Sequence, residues 1–213
     1  MQVRSLFITA TGTNVGKTYT TLQLLKAIAG RGLRPGVYKP IETGVTKEAP
    51  DATALLQACQ HVNPAFETLT TADITAYTFE LPAAPYCADT KRQIDLQHLV
   101  DKHDMLQKKC DILLVEGAGG LMVPITETYL MVHLIKEIEA KALLVTLSRL
   151  GCINDTLLSM LALRSFDVPF DWCVNLYEDN KDFSKVTQPY YDAVFPEWWS
   201  VQEGLEKFVE TLL

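Results

Sequence analysis

Segments with helical periodicity alternate with short, wholly apolar runs along most of this chain, and this alternation limits the possible folds more than any other feature. The clearest example is the helical segment 95–108, which leads directly into the apolar run 111–117. Two more helix-and-strand units follow at 129–147 and 153–175. Strands without an exposed face are typical of parallel sheets that helices cover on both sides. We therefore predict an α/β fold, a single-domain parallel β-sheet flanked by helices on both faces.

The remaining segments fit the same plan. Further elements are predicted as strands at Val3–Thr9, Gly36–Pro40 and Ile74–Phe79, and as helices beginning at Lys17 and spanning Asp51–Cys59 and 201–213. The proline at position 40 is expected to end its strand. No linker, repeat or low-complexity stretch interrupts the pattern, so we expect one domain over residues 1–213.

The charge balance excludes some classes of partner. The chain has 19 lysines and arginines against 26 aspartates and glutamates, a net charge of −7. Because nucleic-acid binding needs clustered basic residues, we expect no nucleic-acid partner. No apolar run has the length of a membrane span, and Met1–Ile8 is too short for a signal peptide. We expect a soluble, cytoplasmic protein without a membrane partner.

The cysteines carry no sign of a metal or disulfide framework. Their number, five, is odd, and they lack the paired spacing of zinc sites. We interpret them as reduced thiols.

A phosphate-binding loop is predicted between the first strand and the first helix, where the chain reads Gly12-Thr13-Asn14-Val15-Gly16-Lys17-Thr18. The N–H groups of such a loop cradle a polyphosphate at the helix N-terminus. Lys17 is positioned to reach the terminal phosphates, and the Thr18 hydroxyl to bind Mg²⁺. The usual pattern has a glycine at the position that Thr11 occupies here. A chance Gly-Lys-Thr in an ordinary turn is the alternative, and the flanking strand and helix disfavour it.

Acidic residues are predicted at the same edge of the sheet. Glu116 ends the most apolar strand and begins a Glu-Gly-Ala-Gly-Gly segment, so its carboxylate should emerge where open α/β folds bind ligands. Mg²⁺ prefers one or two carboxylates together with substrate phosphates. We therefore expect a magnesium site formed by Thr18, Glu116 and Asp51. For Asp51, a helix cap is an equally weighted alternative.

Lys39 is a second lysine at this edge. It stands at the predicted carboxyl end of a strand, before Pro40, and Thr43 follows closely. Two lysines near one phosphate site favour transfer of a phosphoryl group, because charge that develops during transfer needs stabilisation. The alternative is an ordinary surface lysine.

Four segments together resemble the dethiobiotin synthetase family. They are Thr13-Asn14-Val15-Gly16-Lys17-Thr18, Tyr38-Lys39-Pro40 with Thr43-Gly44, Val115-Glu116-Gly117-Ala118-Gly119-Gly120, and Leu150-Gly151-Cys152-Ile153-Asn154. Their order and spacing match, and the last is the most specific because generic phosphate-loop ATPases lack it. The resemblance implies a P-loop NTPase-like fold and an ATP-dependent cyclo-ligase of biotin biosynthesis.

The resemblance also implies the reaction and its partners. CO2 or bicarbonate would carboxylate 7,8-diaminononanoate to a carbamate, which ATP would phosphorylate to a carbamic-phosphoric anhydride. Closure of the ureido ring would then give dethiobiotin, ADP and phosphate. Mg²⁺ is the implied cofactor, ATP the co-substrate, and a homodimer with a shared substrate site the implied assembly.

Residue roles follow by matching the segments. The catalytic residues would be Lys17, Lys39 and Thr13. The nucleotide would be bound by residues 12–18 together with Glu116, Gly119 and Asn175, the last of which matches a position that contacts the adenine base. The substrate would be bound by Thr13, Lys39, Thr43, Gly151, Cys152, Ile153 and Asn154.

The position of the segment Gly151–Asn154 also favours anion binding, independently of the resemblance. It opens a predicted helix, whose free N–H groups attract an anion such as a substrate carboxylate. We assign this role to the backbone and expect no thiol chemistry of Cys152. Beyond Asn175 the chain departs from the family, because the Gly-x-Ile/Leu-Pro segment that completes the base pocket is missing.

Two other functions share this architecture. A nucleotide switch of the partitioning or metallochaperone type would carry a second lysine early in the loop, where this chain has Ala10, Thr11 and Gly12. An ATP-dependent amidoligase would need a glutaminase domain, for which 213 residues leave no room.

Overall fold

The computed structural model describes residues 3–176 and 180–212. Its elements in chain order are β1 (Ser5–Ala10), α1 (Lys17–Gly30), β2 (Pro35–Thr43), α2 (Pro50–Gln60), α3 (Thr71–Ile74), β3 (Thr75–Phe79), α4 (Pro85–Ala88), α5 (Leu96–Gln107), β4 (Ile112–Glu116), α6 (Met131–Glu137), β5 (Lys141–Leu147), α7 (Cys152–Ser165), β6 (Phe170–Asn175), α8 (Asn180–Val186), α9 (Gln188–Val194) and α10 (Leu205–Glu210). A 3-10 turn lies at Pro64–Phe66. No helix among the described residues is long and apolar enough to cross a membrane.

The six strands form one parallel sheet in the order β3-β2-β4-β1-β5-β6. Every residue of β1 and β4 is buried, so both faces of the sheet centre are covered. Helices α2 and α5 both pack against β2, and α7 packs against β5. The predicted α/β fold with a parallel sheet is confirmed. In this order, the ends of β1, β2 and β4 meet at one edge, where the candidate site lies.

Strand β2 extends further than the sequence suggests. It was expected to end at Pro40 but continues to Thr43, and Lys39 therefore lies inside the strand. Pairing of β2 with β4 stops at Tyr38, which lies opposite Val115, while pairing with β3 continues to Thr43. Pro40 is tolerated because no β4 hydrogen bond is required from its missing N–H. Lys39 still lies level with the end of β4.

The C-terminal part differs most from the prediction. The tail helix was expected over 201–213, but α10 spans only Leu205–Glu210, and Leu213 lies outside the described residues. Residues 199–201 instead form a short parallel bridge to β6, in which the Val201 N–H donates to the Val174 carbonyl at 2.9 Å. Helices α8 and α9 were not predicted. They carry aromatic side chains into a second apolar cluster with Val174 and Cys152.

Candidate functional site

The loop between β1 and α1 has the geometry that a phosphate cradle needs. Gly16 precedes α1 with a left-handed φ of 98°, and a Cβ there would lie 2.1 Å from Nδ2 of Asn175, so this position requires glycine. Asn14 is also left-handed, with φ of 58°. Thr11, which replaces the usual first glycine, is not left-handed, and the exchange therefore causes no backbone strain.

Lys17 begins α1 and folds back over the loop. Its Nζ donates to the Gly12 carbonyl at 3.0 Å. Burial, together with the nearby charge of Lys39, lowers the pKa of Lys17 to about 8, although Glu116 and Asp51 partly offset this. An ammonium group held in this way, with few water contacts, is suited to bind the oxygens of a phosphate.

Three oxygen-bearing side chains converge beside the loop. The Thr18 hydroxyl lies 3.1 Å from Oδ1 of Asp51 and 2.9 Å from Oε1 of Glu116. Glu116 is fully buried, and its other oxygen accepts from Thr21 at 2.9 Å. The sequence thus predicts three magnesium ligands that the fold brings together. Hydroxyl and carboxylate oxygens are the donors that Mg²⁺ prefers, so this set fits the ion.

Lys39 joins the two carboxylates. Its Nζ donates to Oε1 of Glu116 at 2.6 Å and to Oδ2 of Asp51 at 2.9 Å, and only 2% of the residue is exposed. Burial alone would lower the pKa of Lys39, but the charges of Glu116 and Asp51 outweigh it and raise this pKa. The same contacts lower the pKa of Asp51 against the effect of its burial. Lys39 is therefore a buried, permanently charged group, which excludes the interpretation as a surface lysine.

Glu42 is a residue that the sequence reading missed. Its carboxylate accepts from the N–H groups of Asp51 and Ala52, each at 2.9 Å, and so caps the start of α2 from β2. Burial raises the pKa of Glu42, and the two N–H donors partly offset the shift. Asp51 itself makes no cap, because its side chain faces Lys39 and Thr18. Of the two alternatives for Asp51, the structure supports membership of the charged cluster.

A cavity of about 530 Å³ opens over this cluster. The predicted site residues that line it are Thr13, Asn14, Gly16, Lys17, Thr18, Lys39, Thr43, Asp51 and Gly119. Another wall of the cavity is the segment Pro82–Pro85, which leads into α4 and which no sequence motif indicated. The N–H of Tyr86 anchors this wall by donating to the Pro124 carbonyl at 3.0 Å.

The segment Gly151–Asn154 does not line this cavity. Gly151 has a left-handed φ of 93° and precedes α7, as the helix-start prediction requires. Cys152 is only 1% exposed, whereas Asn154 is exposed. The structure therefore places this predicted substrate-binding segment outside the phosphate-loop cavity of the same chain.

Asn175 lies behind the phosphate loop. Its Nδ2 donates to the Val15 carbonyl at 3.0 Å, its Oδ1 accepts from Gln202 at 3.0 Å, and it is 2% exposed. Gln202 was missed, because it follows the short bridge of residues 199–201 to β6 rather than a recognisable motif.

Comparison with known proteins decides the family. Residues 4–171 match the family model described as AAA domain. The ATP-dependent dethiobiotin synthetase BioD of Sulfurovum sp. (strain NBC37-1) is 64% identical over 208 residues, covering 98% of this chain and 99% of that protein. The protein of the same name from Wolinella succinogenes is 37% identical, covering 99% of each chain. This chain belongs to the dethiobiotin synthetase family. The prediction that it is an enzyme of the ligase class is confirmed.

Solved structures show how widely the synthetase architecture is shared. The MinD subunit fold seen in the MinC:MinD cell division complex of Aquifex aeolicus matches with a TM-score of 0.55 at 15% identity, covering 97% of this chain and 85% of that one. A ParA family ATPase from Chlorobium tepidum TLS also gives 0.55, at 12% identity, covering 96% and 89%. At these identities the likeness shows the fold alone. A nucleotide switch is not favoured, because the relatives of high identity are synthetases.

Proposed function

We propose that this chain is a cytoplasmic dethiobiotin synthetase that uses ATP and CO2 to close a cyclic urea on 7,8-diaminononanoate. The observation that carries the proposal is the position of Lys39, whose ammonium group joins Asp51 and Glu116 beside the phosphate loop and faces the cavity. A protein that only stored nucleotide would not require this second buried cation. A phosphoryl transfer does, because negative charge develops on the transferring group and on the leaving ADP.

The proposed reaction has three steps. One amine of the diamine adds to CO2, giving a carbamate and releasing a proton. A carbamate oxygen attacks the γ-phosphorus of ATP, and the bond to ADP breaks. The second amine then attacks the carbonyl carbon of the resulting anhydride and loses a proton, phosphate leaves, and the ureido ring closes to dethiobiotin. Since the attacking carbamate is already anionic, the main requirement on the protein is positioning.

The residues of the cavity have matching roles. The loop N–H groups of residues 12–18, with Lys17, would hold the polyphosphate, and so would Gly119, which lines the cavity beside Thr13. Lys39 would stabilise the charge of the transferring phosphoryl group from the opposite side. Thr13 and Thr43, which also line the cavity, would orient the carbamate and the free amine by hydrogen bonds.

Thr18, Asp51 and Glu116 would hold Mg²⁺. When bound, the ion supplies positive charge to the phosphate oxygens during transfer. Asn175 would contact the adenine base from behind the loop, since its amide has donor and acceptor capacity beyond the two hydrogen bonds to Val15 and Gln202.

Substrate binding is proposed to involve a second copy of this chain. Gly151, Ile153 and Asn154 would bind the carboxylate of the diamine through N–H groups at the start of α7. The N–H of Cys152 donates to the Arg149 carbonyl at 3.1 Å, so Cys152 would contribute by holding this turn in place. Because this segment does not line the cavity of its own chain, the site would be completed by the partner in a homodimer. Exposed leucines lie on either side of the segment along the chain, with Leu150 before it and Leu158 and Leu161 after it on α7 exposed by 79%, 58% and 59%. An apolar helix face of this kind is suited to burial against a second copy.

A coupled assay of ADP release tests the function. Full turnover is expected only with ATP, Mg²⁺, bicarbonate and 7,8-diaminononanoate together, and mass spectrometry should detect dethiobiotin in the same reaction. Omission of the diamine or of bicarbonate should abolish ADP release. Equal ADP release without the diamine would contradict the proposal and indicate a simple ATPase.

A further inference from the structure

A buried chain of hydrogen bonds links the start of α7 to its neighbours. The hydroxyls of Thr146 and Thr156 lie 2.6 Å apart, and the Thr156 hydroxyl lies 3.0 Å from the Tyr191 hydroxyl. The Tyr191 hydroxyl donates to the Cys152 thiol at 3.7 Å, and this thiol donates to the Thr187 hydroxyl at 3.9 Å. The five groups can therefore donate in one direction, from Thr146 to Thr187.

These five residues come from three parts of the fold. Thr146 lies on β5, Cys152 and Thr156 lie on the first two turns of α7, and Thr187 and Tyr191 belong to the segment of α8 and α9. Each is at most 2% exposed. Such a chain is costly to bury unless every member finds a partner, and here every member does.

Aromatic packing fixes Tyr191, the middle member of this chain of hydrogen bonds. The ring of Tyr191 is surrounded by Trp172, Phe183, Phe195 and Trp198, with ring centres 5.0 to 6.3 Å away. A ring held on several sides keeps its hydroxyl in one place. The position of this hydroxyl in turn determines where Cys152 and Thr156 can lie.

The first turn of α7 has no side-chain cap. Gly151, which precedes the helix, has no side chain to cap the turn, and Asn154 points to the exposed side. The hydrogen bonds of Cys152 and Thr156 with Tyr191 join this turn to the apolar interior, against which Ile153 also packs.

We propose that Tyr191 is a positioning residue, which through Thr156 and Cys152 fixes the first turn of α7 so that the N–H groups of Gly151, Ile153 and Asn154 meet a substrate carboxylate. The proposal rests on the function proposed above. It assigns a role in substrate binding to α9, an element that holds none of the residues predicted to touch a ligand. This positioning role requires the hydrogen bonds of the chain. Apolar packing of the Tyr191 ring alone would not be enough.

Two pairs of variants separate the hydroxyl from the packing. Tyr191→Phe removes only the buried hydroxyl, and Tyr190→Phe is its control, because Tyr190 is 37% exposed on the same helix. Thr156→Val breaks the chain of hydrogen bonds between Thr146 and Tyr191, and Thr156→Ser keeps the hydroxyl. We expect Tyr191→Phe and Thr156→Val to raise the KM for 7,8-diaminononanoate by about three- to tenfold, the range for loss of one aligned hydrogen bond. The KM for ATP should stay unchanged in all four variants.

Hydrogen exchange of the peptide that covers 150–157 provides a readout independent of turnover. Exchange should be faster in Tyr191→Phe and Thr156→Val than in the two controls. Unchanged exchange, or a KM for the diamine that rises equally in the control of each pair, would overturn the positioning role. If wild-type protein shows no diamine turnover, the proposed function fails, while the exchange comparison still decides whether the hydroxyls fix α7.

Discussion

Lys17 and Lys39 are both buried beside the same two carboxylates, yet their surroundings act on them in opposite directions. Lys17 has a carbonyl as its hydrogen-bond partner, and burial lowers its pKa to about 8. Lys39 contacts Glu116 and Asp51 directly, which raises its pKa. Lys39 is thus the fixed charge of the site, whereas Lys17 is the lysine whose charge depends on what the loop holds.

Replacement of Lys39 by glutamine should separate catalysis from nucleotide binding. We expect Lys39→Gln to lower kcat for ADP formation by about 10²- to 10³-fold, the usual cost of one charge-stabilising group. Binding of nucleotide by the loop should change far less. The control is Lys47→Gln, at an exposed lysine of the segment after β2. A kcat within a few-fold of wild type would contradict the role of Lys39.

Removal of the Glu42 side chain should weaken the start of α2. We expect Glu42→Ala to lower the free energy of unfolding by about 1 to 2 kcal/mol, because the N–H groups of Asp51 and Ala52 lose their acceptor. The Mg²⁺ concentration for half-maximal activity should also rise, since Asp51 loses its anchor. Urea unfolding measures the first effect and a Mg²⁺ titration of turnover the second. Glu48→Ala, at an exposed glutamate before the same helix, should change neither.

At the scale of elements, the outer face of α7 should determine the oligomeric state. We expect Leu158→Asp and Leu161→Asp to convert a dimer to a monomer, because a charge would be buried in an apolar interface. The mass in solution, measured by light scattering, should halve, and the KM for the diamine should rise. Met105→Asp, at an exposed methionine of α5, is the matched control. A dimer that persists in both leucine variants would place the interface elsewhere.

Local sequence patterns correctly predicted the elements whose secondary structure is determined by their own residues. The phosphate loop, β4 with Glu116, and the start of α7 at Gly151 all lie where motif and periodicity placed them. Glu42 could not be predicted in this way, because its role depends on α2 folding back over the end of β2.

Contacts between segments that lie far apart along the chain could not be predicted from local sequence patterns either. Asn175 meets Val15 across 160 residues, and the wall Pro82–Pro85 reaches the cavity only because the sheet order puts β3 beside β2. Helices α8 and α9 are seven residues each, too short for their periodicity to stand out.

At the scale of the whole molecule, one buried histidine should make stability depend on pH. Nε2 of His103 on α5 lies 2.7 Å from the Ser5 hydroxyl on β1, and burial lowers the pKa of His103 although Asp104 partly opposes this. The unfolded chain therefore takes up a proton before the folded one as the pH falls below 6.5, and this favours unfolding.

The variant His103→Gln tests whether protonation of this histidine makes stability depend on pH. Between pH 7.5 and 5, the free energy of unfolding from urea titrations should fall less in His103→Gln than in wild type. His61→Gln, at an exposed histidine, should keep the wild-type slope. Parallel slopes for wild type and His103→Gln would show that protonation of His103 does not contribute.

That residues 1–213 form one domain stays a prediction, which a single cooperative transition in these titrations would support.

Residues late in the chain support β1 and the phosphate loop, which lie early in it. The N–H of Val3, just before β1, donates to the carbonyl of Leu212 at 3.2 Å, and Gln202 holds the amide of Asn175 against the loop at Val15. During synthesis, β1 and the phosphate loop leave the ribosome well before Gln202 and Leu212 do. A nascent chain can thus have a nearly complete sheet while its nucleotide loop still lacks this support. We therefore expect firm binding of nucleotide by the loop only after Gln202 has reached Asn175.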